Sequence, residues 1–482
     1  MKKFILLCTF CWGMLVPGAR ACTSFLAGRN ATIDGSTFIT YAADSHTLYG
    51  ALKFIPAARH PKNSTMEIRE WDTNKLLGHI PQVEYTYKVV GNMNEHQLSI
   101  TESTWGGRPE LVDTTGIIDY GSLMYIALQR AKTAREAITV MTDLVSEYGY
   151  YSSGESFSIA DPEEVWIMEM IGKGPQNQGA VWVAVRIPDD CIAAHANQSR
   201  IHKFPLDDKE NCLYSPDVIS FAREQGYFNG LNKDFSFADA YAPADFGALR
   251  GCEARVWSFY NRFNSSMGKY LSYLNGKSKE YLPLYIKPDK KLSVQDMKDA
   301  MRDHFEGTPF DMTQDVGAGP FKCPYRFRPM TFKVDSVEYT NERAVATQQT
   351  AFTLVAQMRS WLPNAIGGVL WFGVDDTNTC VYVPLYACLN EVPECYSELN
   401  GSMYDLSWTS AFWIHNWVAN MSYSRYDQMI EDIRPVQKDI ETTFYVQQPV
   451  IEKVANDLYR NDPVAAIRFL NAYSVCLLYT SD

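Results

Sequence analysis

The run Ala19-Arg20-Ala21-Cys22-Thr23-Ser24-Phe25-Leu26 joins two kinds of sequence. Upstream, Met1-Lys2-Lys3 is basic and Phe4 to Val16 is apolar, with Leu6, Leu7, Trp12 and Leu15. A basic start, a short apolar stretch and the small-x-small triplet Ala19-Arg20-Ala21 read as a secretory leader, residues 1–21, removed on export. The apolar stretch falls short of the roughly 20 residues that a membrane span needs, and no later stretch qualifies. Downstream, Thr23 to Ala27 reads as a short strand, followed by the turn Ile33-Asp34-Gly35-Ser36 and a second strand from Thr37 to Ala42. Asp-Gly supplies the positive φ angles of a tight turn, so the two strands are expected to form a hairpin.

Cleavage after Ala21 would leave Cys22 as the first residue of the mature chain, with a free α-amine on the same residue as a thiol. An α-amine titrates near ~7.7–8.0 and a thiol near ~8.5, so the amine is placed to accept the thiol proton. Nucleophile and general base are then one residue. The chain offers no G-x-S-x-G or H-E-x-x-H motif as a competing centre. On the residues alone three readings of Cys22 stay open. It is this nucleophile, or a buried strand residue or half-disulfide, or a lipoprotein cysteine whose amine is acylated. Lipidation would remove both nucleophile and base; Ala19 in place of the usual Leu, together with Arg20, suits ordinary signal cleavage.

The 482 residues are 46% hydrophobic and 21% charged, a packed globular composition that excludes disordered, collagen-like and coiled-coil chains. Acidic residues number 56 against 44 basic, and loss of Lys2, Lys3 and Arg20 with the leader leaves 41 basic. Such a charge disfavours nucleic acid and anionic lipid as partners. Two of the eleven cysteines leave with the leader, and export permits disulfides among the rest. Cys388 and Cys395 lack metal-ligand spacing and a nearby His, so neither a metal nor another cofactor is expected. The oligomeric state is left open.

Further strands are expected at Gln97 to Glu102, Phe157 to Ala160, Val165 to Met170, Ala180 to Ile187 and Cys191 to His195, several apolar throughout as in strands covered on both faces. Ile117 to Ala131 reads as a helix. A second opens with the capping-box pattern Thr133-Ala134-Arg135-Glu136. Ser215-Pro216 and Ser293 read as helix starts. Thr347 to Trp361 reads as another helix, Gly368 to Val374 and Cys380 to Leu385 as a strand pair, and Val436 to Leu458 as a helix interrupted at Gln447-Gln448-Pro449. The final run, residues 475–482, reads as a translated sequencing adapter, so the native C-terminus is expected to be missing.

Several of these stretches resemble one known family. Ala21-Cys22-Thr23-Ser24-Phe25-Leu26, Ala31-Thr32-Ile33-Asp34-Gly35-Ser36-Thr37, Tyr41-Ala42-Ala43-Asp44-Ser45-His46, Gly91-Asn92-Met93-Asn94-Glu95 and Ala194-His195-Ala196-Asn197-Gln198-Ser199-Arg200 resemble the secreted cysteine dipeptidases. These are N-terminal-nucleophile hydrolases, relatives of penicillin V acylase and bile salt hydrolase. The likeness runs to about Ser474. It implies an α+β fold, a four-layer αββα sandwich of antiparallel sheets, with a hydrolase domain over residues 22–395, insertions after about 203 and a helical region over 396–474. It also implies an exported, periplasmic or extracellular enzyme acting on small peptides.

By the resemblance, Cys22 is the nucleophile, Asp44 holds its α-amine, Asn197 is an oxyanion donor and Arg255 organises the site. Glu102 and Thr104 lie on a strand lining the pocket. Many relatives have Arg-Asn-x-Asp where this chain has Tyr41-Ala42-Ala43-Asp44, so Tyr41 stands in place of an arginine near the thiolate. Two other functions remain open: an amidase of acylated small molecules such as conjugated bile acids or β-lactams, and a non-catalytic, lipid-anchored peptide-binding protein.

Overall fold

The strand Val165–Gly172 has no solvent-facing side. Trp166, Met168 and Met170 enter a buried cluster with two helices, whereas Val165, Ile167 and Ile171 enter the cluster shared with a second sheet. Alternate residues of a strand point to opposite faces, so a continuous apolar run means that both faces are covered. That arrangement is the basis of the whole architecture. A computed structural model describes residues 22–326 and 331–476; the expected leader, 1–21, and residues 477–482 of the suspected tail lie outside the described residues.

One sheet has seven strands, in the order Tyr285–Ile286, Ile192–His195, Ser24–Ala27, Thr37–Asp44, Thr350–Met358, Val369–Val374, Val383–Tyr386. The other has eight, in the order Cys212–Tyr214, Ala180–Ile187, Val165–Gly172, Gly154–Ala160, Ser99–Trp105, Met93–Asn94, Val89–Val90, Phe54–Ile55. All pairings in both are antiparallel. The sheets pack face to face through Thr37–Asp44 against Ser99–Trp105 and Gly154–Ala160. Helices Tyr120–Arg130 and Ala134–Tyr148 cover the eight-stranded sheet, and helices Ala254–Phe263 and Val294–Met301 cover the seven-stranded one. The result is the expected αββα sandwich. Phe25 stacks on Phe259 with ring centroids 4.1 Å apart, tying the first strand to its helix.

Local signals act much as the sequence implies. Leu26 pairs with Ile39 in the hairpin, and Gly35 in its turn has φ 84°. Thr133 caps its helix by accepting from the Glu136 amide. The Glu136 carboxylate accepts from the Lys132 amide at 2.7 Å, one residue before the cap. Ser293 forms a complete capping box with Asp296.

Two expectations are corrected. Thr347 to Trp361 is not a helix: Thr350–Met358 is a central strand paired on both sides. Its Ala, Leu, Gln and Met suit a helix, and burial on both faces erases the alternation that marks a strand. Nor does Pro449 interrupt the late helix, which runs unbroken as Tyr426–Tyr459 through Pro435 and Pro449. Interior prolines cost a helix about 3 kcal/mol. Buried polar anchors offset this, since Glu441 pairs with Arg302 at 2.6 Å, Gln437 donates to the Cys380 carbonyl at 2.6 Å and Glu452 pairs with Arg359 at 2.7 Å. This helix belongs to a C-terminal helical region with Ala411–Tyr423 and Pro463–Cys476. Among the described residues no helix is long and apolar enough to cross a membrane.

Candidate active site

Cys22 lies just before the Ser24–Ala27 strand, and Thr23 extends the sheet by exchanging two backbone hydrogen bonds with Ala42 at 3.0 and 3.3 Å. Strand alternation then sorts the side chains. Thr23 and Phe25 face the helices, while Cys22 and Ser24 face the second sheet, where Ser24 reaches Thr101. The Cys22 side chain is therefore buried between the sheets, 5% exposed.

Opposite it stands Glu102, 1% exposed, whose Oε1 accepts from the Cys22 thiol at 3.4 Å. Tyr41 donates its hydroxyl to the same oxygen and lies 3.8 Å from Sγ. Burial above all, then the Glu102 and Asp44 carboxylates, raises the thiol well above its ordinary range. An amide hydrogen bond from the Asp44 backbone opposes them. The Asp44 carboxylate itself accepts from Arg343 at 2.6 Å and from the Thr350 hydroxyl at 2.6 Å. Burial pushes that carboxyl above the usual range, and both partners pull it back.

Arg255 joins the remaining parts. Its Nη1 donates to the Cys22 carbonyl at 2.8 Å and to the Thr23 hydroxyl at 2.7 Å, and its Nη2 to Asn197 Oδ1 at 2.9 Å. A π-helical turn, Leu249–Glu253, precedes its helix, and Nε donates back to the Gly251 carbonyl at 2.7 Å. Burial and nearby Arg343 lower this guanidinium to about 10, still charged at neutral pH. Because Arg255 takes Oδ1, the amide nitrogen of Asn197 is directed the other way. One of its hydrogens goes to the Thr104 carbonyl at 2.6 Å, leaving the second for another acceptor. Asn197 has φ 58°, a left-handed conformation that Asn tolerates better than most residues.

The seven residues singled out from sequence thus form one constellation. Thr104 enters it through its main chain, while its hydroxyl donates to buried Glu155 at 2.9 Å. Sequence reasoning missed Arg343, distant in the chain from Asp44, and it missed the support beneath Asn197. There, His195 lies between Ser103 (Nδ1, 2.6 Å) and Ser158 (Nε2, 2.7 Å), and Ser103 accepts from the Asn197 backbone N–H at 3.2 Å. Burial and the charges of Arg200 and Arg255 push His195 down to about 3, so it is a neutral strut and not a base.

A cavity of about 80 Å³ opens over Sγ, bounded by Cys22, Tyr41, Asp44 and Glu102 on the sheet side and by Trp71, Asp72 and Tyr120 on the other. A larger groove of about 750 Å³ lies along the long C-terminal helix. Several of its charges are already committed, Arg302 to Glu441 and Arg262 to Asp303. Cys22, Tyr41, Asp44 and Glu102 line the smaller cavity and not this groove. Among the described residues no group of His, Cys, Asp and Glu has the arrangement of a metal site, and eight cysteines carry free thiols.

Residues 52–439 match the sequence model of peptidase family C69. The chain belongs to peptidase family C69. It is a cysteine-type peptidase, and the matched span takes in Glu102, Thr104, Asn197, Arg255 and Arg343. This C69 peptidase is 27% identical to a probable dipeptidase of Latilactobacillus sakei over 84% of its own length and 82% of that protein's. It is 27% identical to a probable dipeptidase of Salmonella dublin over 80% and 85% of the two chains. A probable dipeptidase B of Lactococcus lactis is 27% identical over 85% and 83%.

Proposed function

We propose that this peptidase is an exported dipeptidase, periplasmic or extracellular, whose nucleophile is Cys22, the first residue once a leader is cleaved after Ala21. The relatives named probable dipeptidases support the substrate class. The Arg255 clamp carries the catalytic assignment: one guanidinium holds the Cys22 carbonyl at 2.8 Å and the Asn197 amide oxygen at 2.9 Å. Nucleophile and oxyanion donor are thereby positioned in one frame before substrate arrives.

The proton acceptor follows from basicity. Glu102 contacts the thiol, but carboxylates as a class are far weaker bases than α-amines. The free amine of Cys22 therefore takes the thiol proton, and Asp44 and Glu102 stabilise the resulting ammonium. The thiolate attacks the scissile carbonyl carbon, and the carbonyl oxygen, now anionic, accepts from the second hydrogen of Asn197 Nδ2. Collapse breaks the C–N bond as the ammonium protonates the leaving amine, giving a thioester on Cys22. Water, deprotonated by the amine, attacks the thioester and releases the amino acid, and the thiol regains its proton.

Mass spectrometry of the mature N-terminus, paired with dipeptide hydrolysis by wild type and Cys22→Ser, tests the proposal. The expected result is an unmodified Cys22 terminus and hydrolysis that falls to background in the variant. A lipid-modified Cys22, undiminished hydrolysis by Cys22→Ser, or a preference for acyl amides over dipeptides would sink it.

A further inference from the structure

The wall of the cavity opposite Cys22 comes from neither sheet of the sandwich. It is made by the tip of a separate hairpin, Thr65–Arg69 paired with Leu76–Pro81, together with Tyr120 at the start of the helix Tyr120–Arg130. The tip is held in place: the Trp71 amide donates to Asp119 at 2.9 Å, and the Trp71 ring stacks on Tyr125 with centroids 4.8 Å apart. Gly121 makes room for it, since a Cβ there would come within 2.5 Å of Trp71 Cγ. Seated in this way, the tip presents Asp72 to the same small cavity as the nucleophile, and Tyr120 orients that carboxylate by donating to it at 3.0 Å.

We propose that this tip forms the subsite for the amino-terminal residue of the substrate, with Asp72 and Glu102 receiving its free α-ammonium and Trp71 and Tyr120 bounding its side chain. The inference rests on the dipeptidase reading above and deepens it. The position of the ligand is set by chemistry, because the attacked carbonyl must sit at Cys22 Sγ and the α-amine of that residue is one carbon away. In a cavity of about 80 Å³ a group so close to the carbonyl meets the lining carboxylates. A cation there is favoured by their charge, whereas a chain continuing past that amine meets the anchored tip. The enzyme would thus count from the amino end, cutting only the bond after the first residue.

The test compares dipeptides with their N-acetyl derivatives on mature wild type and on Asp72→Asn, with thermal melts to confirm folding. Wild type should favour the free amine in kcat/KM on the order of 100-fold, the size of the charge-assisted hydrogen bonding that acetylation abolishes. Asp72→Asn should raise KM for free dipeptides about tenfold with a smaller change in kcat, and should narrow the preference for the free amine. Equal cleavage of free and acetylated dipeptides would overturn the subsite while leaving the dipeptidase reading intact, as would an equal loss on both substrates in Asp72→Asn. Failure to cleave any dipeptide would overturn both.

Discussion

Arg343 reaches Asp44 from 299 residues along the chain, donating Nη2 to Oδ2 at 2.6 Å with both side chains almost wholly withdrawn from solvent. Removing one partner of a buried pair typically costs about 3–5 kcal/mol, because the other charge is left uncompensated. Arg343→Leu should lie toward the lower end of that range, since the Asp44 carboxyl is already raised and can take up a proton. Urea unfolding would measure the loss. Adding Asp44→Asn to Arg343→Leu should restore part of it, and a double variant no more stable than Arg343→Leu would contradict the pairing.

His195 makes stability depend on pH with a definite sign. Its folded value is lowered to about 3, whereas an unfolded histidine titrates near ~6.5. Between these values the unfolded chain binds a proton that the folded one does not, so stability is lost as the pH is lowered. From pH 7.5 to pH 5 wild type should lose about 2 kcal/mol relative to His195→Gln. Denaturant titrations of both proteins at several pH values would reveal it, and parallel curves would refute it.

Asn197 can be probed without disturbing the backbone, because glycine adopts its φ of 58° freely. Asn197→Gly removes the amide but keeps the turn, and kcat should fall about 10²–10³-fold, the usual cost of one oxyanion donor. Asn197→Ala should match that loss and melt earlier. Steady-state kinetics with calorimetry would separate the two effects, and an unchanged kcat in Asn197→Gly would remove Asn197 from the oxyanion role.

Tyr41 shields the nucleophile from Glu102 by donating to that carboxylate. Tyr41→Phe leaves more negative charge beside the thiol and the α-ammonium, and negative charge makes both harder to deprotonate. The acidic limb of the kcat/KM profile should therefore move to higher pH. A limb that stays or moves down would show that the Tyr41 hydroxyl does not set this balance.

Legibility from sequence followed the range of the interaction. Caps and turns depend on neighbours in the chain, and Thr133, Ser293 and Gly35 each do what their local pattern implies. The Cys22 cluster was legible because motif context carries information that spacing lacks: Asn197 and Arg255 lie far from Cys22 in sequence, yet one guanidinium joins all three. Arg343 had no such context, and nothing around Trp71-Asp72 marks a hairpin tip as part of the cavity. The central strand Thr350–Met358 is illegible for the complementary reason, that burial on both faces leaves no periodic trace.

Cys22 and Tyr41 come from one sheet, Glu102 and Thr104 from the other, and the spacing between those sheets is set by side chains, through packing and through hydrogen bonds such as Ser24 to Thr101 and Thr101 to the Thr40 carbonyl. The reaction centre is therefore a seam, as sensitive to a shear between the layers as a vernier is to its scales. Leu26 and Ile167 touch no substrate, yet as members of the core that spaces the layers they are gauge blocks for the distance from sulfur to carboxylate. A change of one methylene there would be felt in turnover as well as in stability.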